Sequence, residues 1–244
     1  MTYVVNLKKA HLVLNIINNK KTIILICPGG GYELLSNRES GPISVKFNNL
    51  GYNTAILYYR LLPFENGEVA AAFIDGYQAL EYLKEHFGNI VVMGFSAGGH
   101  LAGLLGTKCY QYNVKAMVLC YPVVTLTNPY THKQTACNFL NNNLSFELIK
   151  EYSVENCINE HTVPCFVWTT KDDELVPVEN TYLLKDSLDK YNIYNECVIY
   201  PHGPHGYALA DESACINGDP YFLNKDVAKW PLLVCDFLNK ILNK

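Results

Sequence analysis

The chain changes from strand to helix within IVVMGFSAGGHLAGLL, residues 90–105. The first four of these residues are apolar and mostly β-branched, which is typical of a strand buried on both faces of a sheet. From Ala97 onward, small residues and leucines follow at helical spacing. The two patterns meet at Gly94-Phe95-Ser96-Ala97-Gly98, so the sequence predicts a sharp turn that holds Ser96 between a buried strand and a helix.

Strand-like and helical patterns alternate on both sides of that turn. The strand-like runs are short, apolar and bounded by Gly, Pro or Asn, and they cover residues 22–27, 54–59, 90–95, 116–121, 165–170 and 196–201. Helical spacing occurs over residues 69–87, 97–110, 179–192 and 225–244. Such alternation predicts an α/β protein whose mostly parallel central sheet is flanked by helices. The residues before Thr22 fit one or two edge strands.

The length of 244 residues favours a single domain over residues 1–244. One segment, residues 125–164, breaks the alternation, because it is rich in Asn and Thr and lies between two buried strands. We interpret it as an insertion with one or two short helices, placed over the carboxyl ends of the strands, where open α/β sheets bind ligands. Two interpretations stay open: a small lid, or a surface excursion that does not contact the substrate.

Charge and hydropathy exclude two classes of partner. The net charge is −4 and the sequence has no run of Lys and Arg, whereas nucleic-acid-binding proteins cluster these residues. The longest apolar runs are far shorter than the ~20 residues of a membrane-spanning helix. We therefore expect no nucleic acid and no membrane among the partners, and a small neutral molecule as the substrate. The sequence leaves open whether the chain forms a homo-oligomer.

The cysteines indicate reduced thiols rather than disulfides or metal ligands. Their number, nine, is odd, and no two of them form a CxxC pair. Several lie in apolar strand-like runs, which is typical of buried thiols in a reducing compartment. The histidines do not combine with the cysteines at metal-ligand spacing, so we expect no metal. The opening residues lack the regions of a secretory signal, and we expect a cytoplasmic protein.

Ser96 lies in a GxSxG pattern with the strand before it and the helix after it that a nucleophile elbow requires. Glycines flank the serine because side chains at those positions would collide in so sharp a turn. The turn aims the helix N-terminus and the Ala97 N–H at the place where negative charge develops during acyl transfer. We expect Ser96 to be the nucleophile and Ala97 to supply one N–H of the oxyanion hole.

A second glycine run, Cys27-Pro28-Gly29-Gly30-Gly31-Tyr32, directly follows the first buried strand. Glycines leave backbone N–H groups open to a ligand oxygen, and hydrolases of this layout complete the oxyanion hole from this loop. We therefore expect Gly30 and Gly31 to be donors. A plain turn is the alternative; a phosphate loop is disfavoured, because no Lys-Ser/Thr or GxGxxG spacing follows.

A serine nucleophile needs a histidine base and an acid that holds it, here in the order Ser, acid, His. Asp172 and Asp173 follow the strand at 165–170, and His202 and His205 follow the strand at 196–201. Each pair supplies a residue type at the end of a strand, where the catalytic groups of such a sheet meet. The residues alone leave both choices open.

Taken together, PGGGY, GFSAGGHL, KDDELVPVENT and GPHGYALA resemble the acetylesterase/lipase branch of the α/β-hydrolase superfamily, especially its small xylan-esterase-like members. The resemblance covers most of the chain. In its D-x-x-V-P register the aspartate precedes the proline by four residues, which selects Asp173, and its His-Gly pair before small apolar residues selects His205. Many relatives carry His-Gly-Gly-Gly at the oxyanion loop, whereas Pro28 precedes the glycines here, and this departs from the lipase-like members.

The resemblance implies an α/β-hydrolase fold with a Ser96, His205, Asp173 triad that cleaves short-chain esters, acetyl esters first, of sugars or oligosaccharides. This chemistry needs no metal and no organic cofactor. Two rival interpretations are a serine peptidase of the same fold and a binding protein on a hydrolase scaffold. We expect His100 to be a packed or capping residue and Cys27 to be a packing residue, while Tyr32 fits either the pocket lining or the core.

Overall fold

A computed structural model describes residues 1–62, 67–215 and 219–242. The strands in these ranges are β1 (Thr2–Asn6), β2 (His11–Asn15), β3 (Thr22–Cys27), β4 (Asn53–Tyr58), β5 (Asn89–Phe95), β6 (Val114–Cys120), β7 (Cys165–Thr170) and β8 (Asn195–Tyr200). The helices are α1 (Gly41–Asn49), α2 (Ala71–Lys84), α3 (Ala97–Lys108), α4 (Lys133–Phe139), α5 (Phe146–Tyr152), α6 (Val154–Cys157), α7 (Glu179–Lys190) and α8 (Trp230–Leu242).

The strands form one sheet in the order β1-β2-β4-β3-β5-β6-β7-β8. From β4 to β8 all neighbours in the sheet pair in parallel, whereas β1 with β2 and β2 with β4 pair antiparallel. The predicted α/β class with a mostly parallel sheet is therefore confirmed. The segment before β3 forms two antiparallel strands at one edge, which agrees with the expectation of edge strands.

The sheet is buried on both faces because successive residues of its central strands belong to two different cores. In β3, Leu25 packs into the core under α2, α3 and α7, while its neighbours Ile24 and Ile26 pack into the core under α1 and α8. Trp168 and Trp230 are fully buried and stack on each other within the second core. Burial on both faces explains why these strands are continuous apolar runs in the sequence.

The helices depart from the predicted ranges at their ends. The helix predicted from residue 225 begins at Trp230, because Pro231 lacks an N–H and is tolerated only in a first turn. Its last two predicted residues, 243 and 244, lie outside the described ranges. The short α1 was not predicted, and the segment 125–164 carries three short helices, α4 to α6, rather than one or two.

In the parts of the chain that are described, no helix combines the length and apolarity needed to cross a membrane.

The turn from β5 into α3 leaves no space for a side chain at either of two glycines. A Cβ on Gly94 would overlap the carbonyl group of Gly98, and a Cβ on Gly98 would overlap the carbonyl oxygens of Cys27 and Pro28. These neighbours are main-chain atoms of the turn itself and of the end of β3, so they cannot rotate away as a side chain does. The elbow and the glycine loop after β3 are thus held in direct backbone contact.

We predict that Gly98→Ala lowers the free energy of unfolding by about 3 kcal/mol or more, because two backbone segments must separate to admit the methyl group. Urea denaturation followed by circular dichroism measures the change. The matched control is Gly88→Ala, whose Cβ meets only Lys21 side-chain atoms at 3.8 Å and should change stability by less than about 0.5 kcal/mol. Equal stability of the two variants would show that the elbow is not tightly packed.

Candidate active site

Ser96 lies between β5 and α3 in a backbone conformation that side chains rarely adopt, with φ 54° and ψ −119°. Three hydrogen bonds fix this conformation: the Ser96 N–H donates to Cys120 O, and Ser96 O accepts from the N–H groups of His100 and Val123. A strained conformation of this kind persists only where its surroundings hold it. This conformation places the Ser96 hydroxyl in a cleft above the carboxyl ends of the strands.

The structure brings the three predicted triad residues into one hydrogen-bonded chain. His205 Nε2 lies 2.8 Å from Ser96 Oγ, and His205 Nδ1 lies 2.6 Å from Asp173 Oδ2. The carboxylate oxygen can only accept, so Nδ1 carries the proton and Nε2 is free to accept the serine hydroxyl proton. The Asp173 side chain has no exposed surface, and that of His205 is 13% exposed.

Backbone donors after β7 explain which aspartate faces His205. Asp173 Oδ1 accepts from the N–H groups of Leu175 and Val176, each at 2.9 Å, and this turn leaves Oδ2 directed at the histidine. The competing pair forms elsewhere: Asp172 accepts from Gly203 N and pairs with His202 at 3.0 Å on the surface. These contacts hold the pKa of Asp172 below its ordinary value, the Gly203 hydrogen bond contributing most. His202 does not reach Ser96.

The loop after β3 presents two unused backbone donors to the cleft. Gly29 O accepts from Ser36 N, and Gly30 O accepts from Glu33 N and Leu34 N. In a trans peptide the N–H points opposite to the C=O, so the Gly30 and Gly31 N–H groups face away from this turn. Neither of them, nor the Ala97 N–H at the start of α3, donates to any residue in the described ranges.

A buried carboxylate, Glu39, to which the sequence gives only a structural role, ties the glycine loop to the histidine loop. Glu39 Oε2 accepts from Gly29 N, and Glu39 Oε1 accepts from Tyr121 OH, both at 2.8 Å. Tyr121 OH in turn accepts from Ala208 N, and its ring packs edge-on against His205 with centroids 5.0 Å apart. Glu39 and Tyr121 therefore position both sides of the site.

His100 and Tyr32 form a second buried link, under the glycine loop. Both are completely buried, in agreement with the packed role expected for His100 and the core alternative for Tyr32. His100 Nε2 lies 2.7 Å from Tyr152 O, so it must donate, and His100 Nδ1 accepts from Tyr32 OH at 2.8 Å. Burial lowers the pKa of His100 to about 4, which keeps the ring neutral in this role.

Cys27 is not a rival nucleophile. Complete burial raises the pKa of its thiol far above the ordinary value, so the reactive thiolate does not form. Across the described residues, no group of three or more His, Cys, Asp and Glu side chains is arranged to hold a metal ion. All nine cysteines are free.

The cleft above Ser96 has a volume of about 420 Å³ and is bounded by the glycine loop, the histidine loop and α4. The segment 125–164 contributes His132 and Gln134 to the lining. Asn138 of the same segment donates to Gly31 O at 2.7 Å, which anchors α4 on the glycine loop. The segment is therefore in contact with the site, and its service as a lid stays a prediction.

The sequence matches the BD-FAE family over residues 14–188. It is 33% identical over 193 residues to an acetylxylan esterase from Xylanibacter ruminicola, which covers 75% of this chain and 40% of that protein. It is 31% identical over 215 residues to endo-1,4-beta-xylanase B from Butyrivibrio fibrisolvens, which covers 79% of this chain and 33% of that protein. The chain thus spans only about a third to two fifths of the length of these curated relatives.

A solved structure of similar length aligns over nearly the whole chain. It is the crystal structure of an acetyl ester-xyloside bifunctional hydrolase from Caldicellulosiruptor lactoaceticus, 31% identical, with a TM-score of 0.78. The alignment covers 93% of this chain and 88% of that chain. The similarity therefore extends over most of the fold.

We predict that Asp173→Asn slows labelling of Ser96 by a fluorophosphonate probe roughly 10³- to 10⁴-fold, because the amide favours the wrong tautomer of His205. Asp172→Asn, its neighbour at the surface, is the matched control and should label within about twofold of the wild type. Intact-protein mass spectrometry against time gives both rates. The opposite ranking of the two variants would make Asp172 the acid.

We also predict a loss of stability in acid that depends on His100. The pKa of this histidine is lowered in the folded state, so between about pH 6.5 and pH 4 the unfolded chain binds the extra proton and the native state loses stability as pH falls. From pH 7 to pH 5 this amounts to about 2 kcal/mol. Urea denaturation at pH 7 and at pH 5 gives the free energy of unfolding at each pH. The decrease in this free energy between the two pH values should be smaller by that amount in His100→Gln than in the wild type. His86→Gln, at an exposed histidine, is the control, and equal drops in all three proteins would contradict the assignment.

Proposed function

The chain belongs to the BD-FAE family and has the α/β-hydrolase fold, and from this premise we propose that it is a serine carboxylic ester hydrolase acting on short-chain esters of sugars. The observation that carries the proposal is the hydrogen-bonded chain from Asp173 through His205 to Ser96, which ends in an open cleft. A nucleophile, a base and an orienting acid are the parts that acyl transfer needs.

The proposed reaction begins when Ser96 Oγ attacks the ester carbonyl carbon while His205 Nε2 accepts the hydroxyl proton. Asp173 holds the imidazole and stabilises the imidazolium that forms. The tetrahedral intermediate collapses as His205 returns the proton to the departing alcohol oxygen. A water molecule, activated by the same histidine, then hydrolyses the acyl-serine and regenerates the enzyme.

Charge that develops on the carbonyl oxygen needs donors that have no other partner. Within the described residues, the N–H groups of Gly30, Gly31 and Ala97 have no acceptor, and we assign them to the oxyanion hole. Ala97 adds the positive end of the α3 dipole. A donor of this type contributes about 3 kcal/mol of transition-state stabilisation.

Two observations support acetate as the acyl group and a sugar as the alcohol. The relatives named above include an acetylxylan esterase and an acetyl ester-xyloside hydrolase. The cleft lining also carries several polar side chains near Ser96. We further propose a reducing compartment such as the cytoplasm, supported by nine cysteines that form no disulfide.

The proposal predicts that the protein hydrolyses p-nitrophenyl acetate faster than p-nitrophenyl esters of long-chain acids, and that Ser96→Ala abolishes the activity. Because the serine forms the acyl-enzyme, we expect a loss of about 10⁴-fold or more. Ser187→Ala, in α7 and outside the cleft lining, controls for purification and serine loss. Hydrolysis that persists in Ser96→Ala, or a preference for long chains, would overturn the proposal.

A further inference from the structure

Three polar side chains in the wall of the cleft are each held by one hydrogen bond that leaves other polar atoms unused. The first is Arg38, whose Nη1 donates to Ala214 O at 3.2 Å while its guanidinium stacks on Phe222, 4.0 Å from the ring centre. No carboxylate lies within ion-pair distance of Arg38 in the described ranges. Its orientation is fixed, and its other N–H groups have no partner there.

The other two side chains come from the segment 125–164. His132 bonds through Nδ1 to Thr135 Oγ1 at 2.7 Å, and Gln134 donates from Nε2 to Asn138 Oδ1 at 2.8 Å. Both line the cleft together with Ser96 and His205. His132 Nε2 and Gln134 Oε1 have no hydrogen-bond partner among the described residues. All three side chains are thus oriented before a ligand arrives.

We propose that Arg38, His132 and Gln134 form a binding site for the sugar ring that carries the ester, with hydrogen bonds to the free hydroxyls next to the acylated one. This inference rests on the proposed hydrolysis of sugar esters and assigns the side chains that recognise the sugar. A sugar hydroxyl both donates and accepts, and this wall offers both kinds of partner: N–H donors from Arg38 and an amide oxygen from Gln134. An ester whose alcohol part carries no free hydroxyl leaves these polar groups without hydrogen-bond partners, which disfavours its binding.

Charge at the site agrees with a neutral, hydroxyl-rich ligand. Burial and the neighbouring His205 lower the pKa of His132, so His132 contributes hydrogen bonds without charge. Glu33 lines the same cleft as Arg38, so the lining carries one carboxylate as well as the guanidinium. Side chains fixed in advance lose little entropy on binding, which favours recognition of a small polar ring.

The test compares two acetates of equal acyl group and similar ring size: a monoacetylated methyl xyloside and cyclohexyl acetate, which has no free hydroxyl. For each enzyme the measured quantity is the ratio of kcat/KM for the sugar acetate to kcat/KM for cyclohexyl acetate. We expect this ratio to fall about tenfold in Arg38→Gln and about threefold in His132→Phe and Gln134→Ala. Gln134 lies on the exposed side of α4, so its variant tests the idea even if Arg38→Gln folds poorly.

His161→Phe and Gln111→Ala are matched controls, because both residues are exposed and lie outside the cleft lining. Their ratios should equal the wild-type ratio. Ratios that stay within twofold in all three cleft variants would overturn the sugar site while leaving ester hydrolysis intact. Absence of Ser96-dependent hydrolysis of either acetate would instead reject the proposed function itself.

Discussion

Gly98 places its backbone directly against the carbonyl oxygens of Cys27 and Pro28, and no side chain fits between them. This contact joins the end of β5 to the end of β3. The two segments that carry the candidate oxyanion donors, the glycine loop and the turn into α3, both lie next to it. The Ser96 backbone adopts a positive φ where α3 begins, and its hydrogen bonds to Cys120 and Val123 hold that conformation against β6 and the loop after it. The geometry of the candidate active site thus depends on how closely the ends of the parallel strands β3, β5 and β6 lie beside one another.

The parts of the fold that follow from local pattern could be predicted from the sequence, and they include the sheet and the elbow. Each buried strand is an apolar run because two cores cover the sheet, and the glycines around Ser96 are required by backbone contact. The family resemblance selected Asp173 over Asp172, and the structure supplies a physical reason. Asp173 receives two N–H groups from Leu175 and Val176, which residue type alone does not reveal.

What the sequence could not provide are contacts between segments that are distant along the chain. Glu39 and Tyr121 are 82 residues apart, and neither lies in a motif that predicts a shared hydrogen bond. The short α1 escaped prediction because nine residues with a glycine, a proline and two asparagines carry little helical pattern. The place of α4 against Gly31 depends on an Asn138 side chain in a segment without clear periodicity. Tertiary contacts, not propensity, determine these features.

The segment 125–164 contacts the candidate site in two ways: it supports the glycine loop, and it lines the cleft. Beneath the glycine loop, Phe139 packs on the rings of Tyr32 and His100, and the Tyr152 carbonyl oxygen accepts a hydrogen bond from His100 Nε2. From above, α4 adds polar side chains to the cleft wall. A change in how this segment packs therefore alters both the support of the glycine loop and the cleft wall to which we assign the sugar. The proposed sugar site and the proposed oxyanion hole therefore share one structural support, so substitutions in the core of this segment should affect both sites and not the sugar site alone.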